Sequence, residues 1–317
     1  MIRMILKRIG VAGLTLLAVS LVVYGGTEAL PGDAATAVLG REATPASVAK
    51  FQHDFGLDRP FATRYLDWLE GFAHGDLGRS VPSGEHVSAL ISDPVRNTAV
   101  LGLATLILLI PLVLLLGVLT AVRRDGIVDL ISSAATLGLI AVPEFVTGSL
   151  LVVVFSGWVG WFPAVSLIDS SQSLIGQRSA LVLPVATLLG ASVAQGVRMV
   201  RACMIDVLRT DYIEALRLKG VGERDVLLRH ALPNALGPTI QVLALTIAWL
   251  TGGVVVVEAV FQFNGVGLAL TGAVSSRDVP TVQAIAILIA AVYVILNLLS
   301  DVATAVLNPR VRRRQRA

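Results

Sequence analysis

A chain of 317 residues, 55% of them hydrophobic and only 15% charged, with mean hydropathy +0.79, is too apolar to be an ordinary water-soluble domain. Its net charge of +3 and pI near 9.3 do not signal nucleic acid, because the basic residues flank apolar spans and no aromatic-rich basic patch accompanies them. The one cysteine, Cys203, excludes an internal disulfide and any cysteine-based zinc or iron–sulfur cluster within the chain.

Met1 to Arg8 is short and basic, and the apolar run Ile9 to Gly26 follows it. The next residues, TEALPGDAA, lack a clean small-x-small cleavage pattern, and the run is long enough to span a bilayer; both favour a retained first helix within residues 1–29 over a secretory signal. Residues 30–96 are polar and rich in Gly, Pro and carboxylates, an extramembrane insert too poor in apolar residues for a large core of its own. Within it, Thr44 and Pro45 form the cap and first turn of a helix reaching about Phe55. Pro60 to Ala73 reads as a second helix, with Tyr65, Trp68, Leu69 and Phe72 on one face. Packing of that face onto the membrane part is favoured over docking of a partner through Tyr65, Trp68 and Phe72. GDLGRS, Gly75 to Ser80, is a turn.

Residues 97–317 hold the other spans, Ala99–Val122, Ile127–Gly157, Ser179–Gln195, Leu236–Val257 and Val282–Leu299, each near or above the length a bilayer demands. The expected architecture is therefore an all-α integral membrane protein of six transmembrane helices, with an extracytoplasmic helical insert between the first two. The third span is long enough to tilt or to break at Pro143, and Glu144 beside it is expected to face the bundle interior, since a carboxylate toward lipid costs about 2.5–3.5 kcal/mol. Lys and Arg concentrate at Arg123 and Arg124, between Arg201 and Arg229, and at Arg310 to Arg316, whereas the alternate connections offer only Arg178 and Arg277. The positive-inside rule then puts both termini in the cytoplasm and the insert outside. Trp158, Trp161 and Phe162 fall where an outer aromatic belt is expected.

Between the fourth and fifth spans lies the most specified stretch, DYIEALRLKGVGERDVLLRHALPNALGP from Asp211. Asp211 and Glu214 have capping-box spacing, Gly220 suits a left-handed helix end, a second helix is expected from about Glu223 to Ala231, and Pro233 suits the first turn of a new one. No catalytic set accompanies this knuckle. His53, His74, His86 and His230 form neither an i, i+4 pair nor HExxH, there is no GxxxxGK[ST] phosphate loop, and NGVG at Asn264 reads as a turn. Asp301 and Glu258 suggest a proton relay less strongly than simple contact with water or an arginine.

EALRLKG followed by RHALPNALGP resembles the EAA loop of ABC importer permeases, a pattern of E-A-A, three residues and G with HxLP downstream; Leu216 replaces the last alanine. LPGDAA at Leu30, GLDRPFATRYLDWL at Gly56, HGDLGRS at His74, VPEF at Val142, VEAVFQFNGVG at Val257, RDVPTVQA at Arg277 and NLLSDV at Asn297 extend the likeness over nearly the whole chain. They are similar to the first permease subunit of the dipeptide/oligopeptide/nickel branch, although that branch usually closes on DPR where this chain has NPR at Asn308.

The resemblance implies a type I importer permease fold in the bacterial plasma membrane. It implies a heterodimer with a second permease, two ATPase subunits that hold the ATP and Mg, and an external solute-binding protein that meets the insert. The chain itself would be non-catalytic, with no cofactor or metal of its own, and would couple to the ATPases through residues 204–233. The coupling residues carried over are Glu214, Ala215, Leu216, Arg217, Lys219, Gly220, His230 and Pro233, with Ile213 and Leu216 expected to offer an apolar docking face. Pathway candidates are Pro143, Glu144, Gln195, Gln241, Thr246 and Thr251. The substrate is expected to be a di- or oligopeptide, with nickel or another small solute as the alternative within the family. A proton-coupled secondary transporter is the rival reading; it needs ionisable residues in several spans, where only Glu144 is clear. A membrane hydrolase ranks last, for want of a histidine within a span.

Overall fold

The computed structural model describes residues 2–29, 44–54, 58–168 and 176–307. Among them the regular structure is helical, with one isolated antiparallel bridge between Arg79 and His86 and no strand. In chain order the helices are α1 (Ile2–Glu28), α2 (Pro45–Asp54), α3 (Phe61–Ala73), α4 (Val87–Val122), α5 (Ile127–Ala141), α6 (Glu144–Leu151) with a π turn (Val152–Trp158), and α7 (Arg178–Leu208). They continue as α8 (Asp211–Leu218), α9 (Glu223–Asp225) with a second π turn (Val226–Ala231), α10 (Leu232–Val260), α11 (Val266–Ser275) and α12 (Val279–Leu307).

Among the described residues five segments are long and apolar enough to cross a bilayer: Leu6–Glu28, Val87–Val122, Arg178–Leu208, Gly237–Val260 and Val279–Leu299. The third expected span takes the second of its two expected forms, breaking at Pro143 into two helical legs, Ile127–Ala141 and Glu144–Trp158, bent by 102°. Legs of that length meeting at that angle reach roughly 27 Å end to end, close to the ~30 Å hydrocarbon core, and counted as one span they complete the expected six. Two boundaries move. Helix α4 starts at Val87, so the division expected at residue 96 falls inside a continuous helix, and α7 runs on to Leu208 rather than stopping at Gln195. Helix α11, where only a turn at NGVG was expected, is an addition.

The chain divides into two units. The first comprises Met1–Gly10, Thr98–Phe263 and Ile295–Ala317. Its core is three clusters met in turn along α4, α7 and α10. Leu101, Leu183, Leu188, Leu250, Val254 and Phe261 form one; Leu109, Val113, Val200 and Val242 the next; Ala121, Met204, Ile213, Val226 and Ala235 the last. Helices α4 and α7 approach through glycine on both sides. A Cβ at Gly117 would lie 2.7 Å from Val200, and one at Gly196 would lie 2.7 Å from Val113. Absent side chains at such a crossing let backbones close in and gain dispersion contacts, the main source of helix adhesion where lipid cancels the hydrophobic drive. Helix α5 is tied to α7 by a two-pronged ion pair, Arg201 Nε and Nη2 each donating to Asp129 at 2.6 Å, while Asp129 also accepts the Asp125 amide at 3.0 Å. Charges among apolar helices persist when paired in this way. Outward-facing Ile107 and Ile127 are 71% and 75% exposed, a surface suited to lipid or to another chain rather than to water.

The second unit comprises Val11–Asn97 and Asn264–Val294. Val87, Ile91, Val266, Ala284 and Ile285 are its buried core. Helix α3 lies on α1 through rings: Tyr24 is 5.5 Å from Tyr65 and 5.3 Å from Trp68, and Trp68 is 5.6 Å from Phe72. The Tyr65 hydroxyl donates to Ser20 Oγ at 2.8 Å, the Ser20 proton being given to the Leu17 carbonyl. Arg64 Nη1 donates to Glu28 at 3.0 Å, and that carboxylate holds the Arg64 pKa above its ordinary value. The expected Thr44 cap is present, its hydroxyl accepting the Ser47 amide at 3.2 Å. Glycine is required in the Gly75 to Ser80 turn, where Gly75 and Gly78 have φ of 84° and 80°.

Gly196→Val is expected to destabilise the protein by about 1–3 kcal/mol, because Val113 is fully buried and β-branched and has no rotamer into which to yield. Thermal unfolding of the detergent-solubilised subunit measures this. Gly102→Val, where a Cβ meets nothing within 4 Å, is the control and should leave the midpoint unchanged.

Candidate functional site

The knuckle is built by local rules and then anchored. Helix α8 starts after Thr210, whose backbone is extended but whose hydroxyl turns back to the Val207 carbonyl at 2.8 Å, so no side chain caps the helix. The capping box expected from Asp211 is therefore absent. Asp211 is the first helical residue, and with Glu214 it places negative charge against the helix N-terminus, while Arg217 sits in the last turn. The C-terminus closes in a Schellman arrangement: the Gly220 amide donates to Arg217 O at 2.9 Å and the Val221 amide to Leu216 O at 3.2 Å. Gly220 has φ of 78°, as this closure requires, and Val221 and Leu216 pack on the same apolar cluster. Across the elbow, Arg217 Nε and Nη2 donate to the Glu223 carboxylate at 2.7 and 3.2 Å, which raises the Arg217 pKa further.

From Glu223 the path does not stop before Pro233. Residues Val226–Ala231 take a π turn and run directly into α10, with Ala231 itself in helical conformation. The expected separate second helix is corrected accordingly. Pro233 lacks an amide hydrogen and its ring would press on the carbonyl four residues back, and a π turn just upstream relieves that conflict without breaking the rod. His230 locks the arrangement. Its Nδ1 meets the Tyr212 hydroxyl at 2.8 Å, and Asn234 Nδ2 donates to its carbonyl at 2.7 Å.

These contacts decide which side of α8 is free. Ile213 is completely buried and Leu216 half-buried, both in the cluster with Met204, Val226 and Ala235. The apolar face expected to dock a partner is thus the face that holds the knuckle onto α7 and α10. Exposed instead are Glu214, Ala215, Arg217, Lys219, Gly220 and Pro233, together with Leu218, which is 83% exposed, and half-exposed Tyr212. Sequence reasoning missed Leu218 and Tyr212; the signal was the helical offset of Leu218 from Ile213 and Leu216.

Four pathway candidates converge. Pro143, Glu144, Gln195 and Thr246 line one cavity of about 210 Å³, joined there by Ser192 and Trp249, which the sequence did not single out. Thr251 is not among the lining residues and turns its hydroxyl back to Ile247 O at 3.3 Å; the Gln241 side chain lies outside the described residues. The Glu144 carboxylate lies directly over Gly253 of α10, where a Cβ would meet its Cδ at 2.9 Å. No hydrogen-bond or ion-pair partner meets Glu144 among the described residues, although Pro143 and Glu144 open a helix whose amides are at hand. A second cavity of about 340 Å³ shares Ile140 and Gln195 with the first and adds Arg198. The two relay candidates are committed elsewhere: Glu258, fully buried, accepts the Thr98 hydroxyl at 2.6 Å, and Asp301 pairs with Arg8. Among the described residues no cluster of three His, Cys, Asp or Glu side chains suits a metal.

Apolar spans, a folded polar knuckle and a charged cavity among the helices define a multi-pass membrane protein. The particular family follows from comparison: the chain belongs to the binding-protein-dependent transport system inner membrane components, whose model matches residues 113–313, with the N-terminal model of the same membrane component matching residues 1–102. It is 34% identical over 312 residues to the glutathione transport system permease protein GsiC of Escherichia coli, covering 98% of this chain and 99% of that protein. To the protein of the same name in Pectobacterium atrosepticum it is 35% identical, over 94% and 95% of the two chains. It is also 35% identical to the oligopeptide transport system permease protein AppB of Bacillus subtilis, over 93% and 95%.

Ile213→Ala is expected to loosen the knuckle by about 2–5 kcal/mol and Gly220→Ala by roughly 1–2 kcal/mol, the first through a cavity and the second through left-handed strain. In both variants trypsin should cut at Arg217, Lys219 or Arg224 of the solubilised subunit faster than in the parent chain.

Proposed function

We propose that this chain is the membrane-spanning permease of an ATP-driven peptide importer, and that residues 204–233 form the surface on which a cytoplasmic ATPase seats. A second permease completes the pathway, two ATPase subunits carry the ATP and Mg, and an external binding protein delivers the solute. In this reading both termini and the knuckle are cytoplasmic, residues 30–96 face outside, and the chain itself catalyses nothing. Peptide as the substrate class is supported by the full-length relatives named for glutathione and oligopeptides.

The observation that carries the coupling role is the preformed exposed face of α8. The Gly220 closure, the Arg217–Glu223 pair and the buried Ile213 hold Leu218 and Glu214 outward before any partner arrives. A rigid surface loses little entropy on docking and passes displacement on to the helices beneath it. When the ATPases close on nucleotide, differential contact with this face would bias the bundle between inward- and outward-facing states.

Leu218→Asp should weaken ATPase docking by roughly 30-fold, the size expected for losing a hot-spot side chain. Glu214→Lys and Gly220→Pro should leave the chain inserted while separating ATP hydrolysis from uptake. The assay is peptide uptake and phosphate release in vesicles holding the whole transporter, and normal coupling in all three variants would overturn the assignment. Purification from native membrane should bring down a second six-span chain and P-loop ATPases; recovery of this chain alone would favour a secondary transporter.

A further inference from the structure

Glu144 and Arg198 are opposite charges within or beside apolar spans, neither meets a partner among the described residues, and they line adjoining cavities. Such positions are unfavourable. An ionisable side chain among membrane helices is retained at a cost of a few kcal/mol and is ordinarily paired or turned to water. Here Asp129 is paired with Arg201 and Asp301 with Arg8, whereas among the described residues neither Glu144 nor Arg198 has such a pair.

Their surroundings are those of a small-molecule site. Glu144 shares its cavity with the polar residues Gln195, Ser192 and Thr246 and with apolar Ile140, Val142 and Trp249. Gly253 clears the space the carboxylate occupies. Gln195 and Ile140 belong to both cavities, so the carboxylate and the guanidinium flank a shared wall. The volumes are about 210 Å³, below the roughly 300–1,000 Å³ of ligand sites, and about 340 Å³, at the lower end of that range; they suit end groups with one or two side chains. Along α7, Ser192 of the first cavity and Arg198 of the second are six residues apart, about 9 Å of helix, and a dipeptide spans about 7 Å.

We propose that the two cavities form one transit site for a short zwitterionic peptide, Glu144 receiving its α-ammonium group and Arg198 its carboxylate. The inference rests on the permease reading and deepens it: the pathway itself, and not only a binding protein, recognises both free ends. Trp249 and Ile140 would cover side chains without choosing among them, and charge-assisted hydrogen bonds at the two ends would supply the discrimination.

The test places a reporter thiol in the first cavity, Ala191→Cys with Cys203→Ser, in the assembled transporter, and follows its modification by methyl methanethiosulfonate. Protection is titrated with dialanine, N-acetyl-dialanine and dialaninamide. The half-protecting concentration should be roughly tenfold higher for each blocked peptide than for dialanine, as loss of one charge-assisted bond implies. Glu144→Gln should abolish the difference between dialanine and its N-acetyl form alone, and Arg198→Gln the difference between dialanine and its amide alone. Equal protection by all three peptides, no protection, or a thiol unreactive because a partner chain covers it would each overturn the proposal. Peptide uptake is measured on the same preparation: ATP-driven uptake of dialanine without selective protection sinks the transit site alone, and absence of any ATP-driven peptide uptake sinks the permease reading.

Discussion

Hydrocarbon offers no partner to a backbone amide or carbonyl, and most of this architecture follows from that demand. Helices satisfy it within each span, and the polar side chains they carry turn inward on their own turns. Thr105 donates to Leu101 O, Thr120 to Leu116 O, Thr187 to Leu183 O and Thr246 to Val242 O, each four residues back. Even the sharpest break obeys the rule. Pro143 has no amide hydrogen to strand, and its carbonyl accepts from both Val146 and Thr147 at 3.0 and 3.1 Å. A bend of 102° is therefore compatible with membrane depth, and it is this bend that starts a helix at Glu144 and aims the carboxylate at Gly253.

The same economy separates adhesion from recognition in the first unit. Adhesion is assigned to absent, paired or buried groups: glycines at the α4–α7 crossing, an ion pair between α5 and α7, and Ile213 under the knuckle. The outer face of α8 is exposed, and Glu144 and Arg198 line the cavities around Gln195. Helix α10 connects them, for its start continues the knuckle and its Gly253 underlies Glu144. In the proposed function this connection is what would let a nucleotide-dependent event at the knuckle alter solute contacts at the cavities.

The spans were legible in the sequence because an unbroken apolar run near bilayer length rarely forms anything but a membrane-crossing helix. Their ends were not legible. Helix α4 begins through Asp93, Pro94, Arg96 and Asn97, and α7 continues through Arg198, Arg201 and Asp206, polar residues that composition assigns to loops. The glycine elbow could be read from the residues alone, since only one residue type sits easily at that backbone angle. Which face of α8 is buried could not, because Ile213 and Leu218 are equally apolar and tertiary packing chose between them. Likewise Glu144 stood out as an oddity, but its neighbours Gly253, Ser192 and Trp249 lie on other helices, and spacing along one chain does not reveal that meeting.

The π turn at Val226–Ala231 has a geometric consequence beyond accommodating Pro233. One extra residue in a helical turn advances the azimuth of everything after it by about 100°. The turn is thus a phase setting between the knuckle and α10, fixing which stripe of the long helix looks toward Glu144 while the knuckle keeps its own orientation. Deleting a single residue there would restore an unbroken α-helix and rotate Gly253 away by more than a quarter turn. In this chain the angular register between the knuckle and the cavity is encoded in six residues.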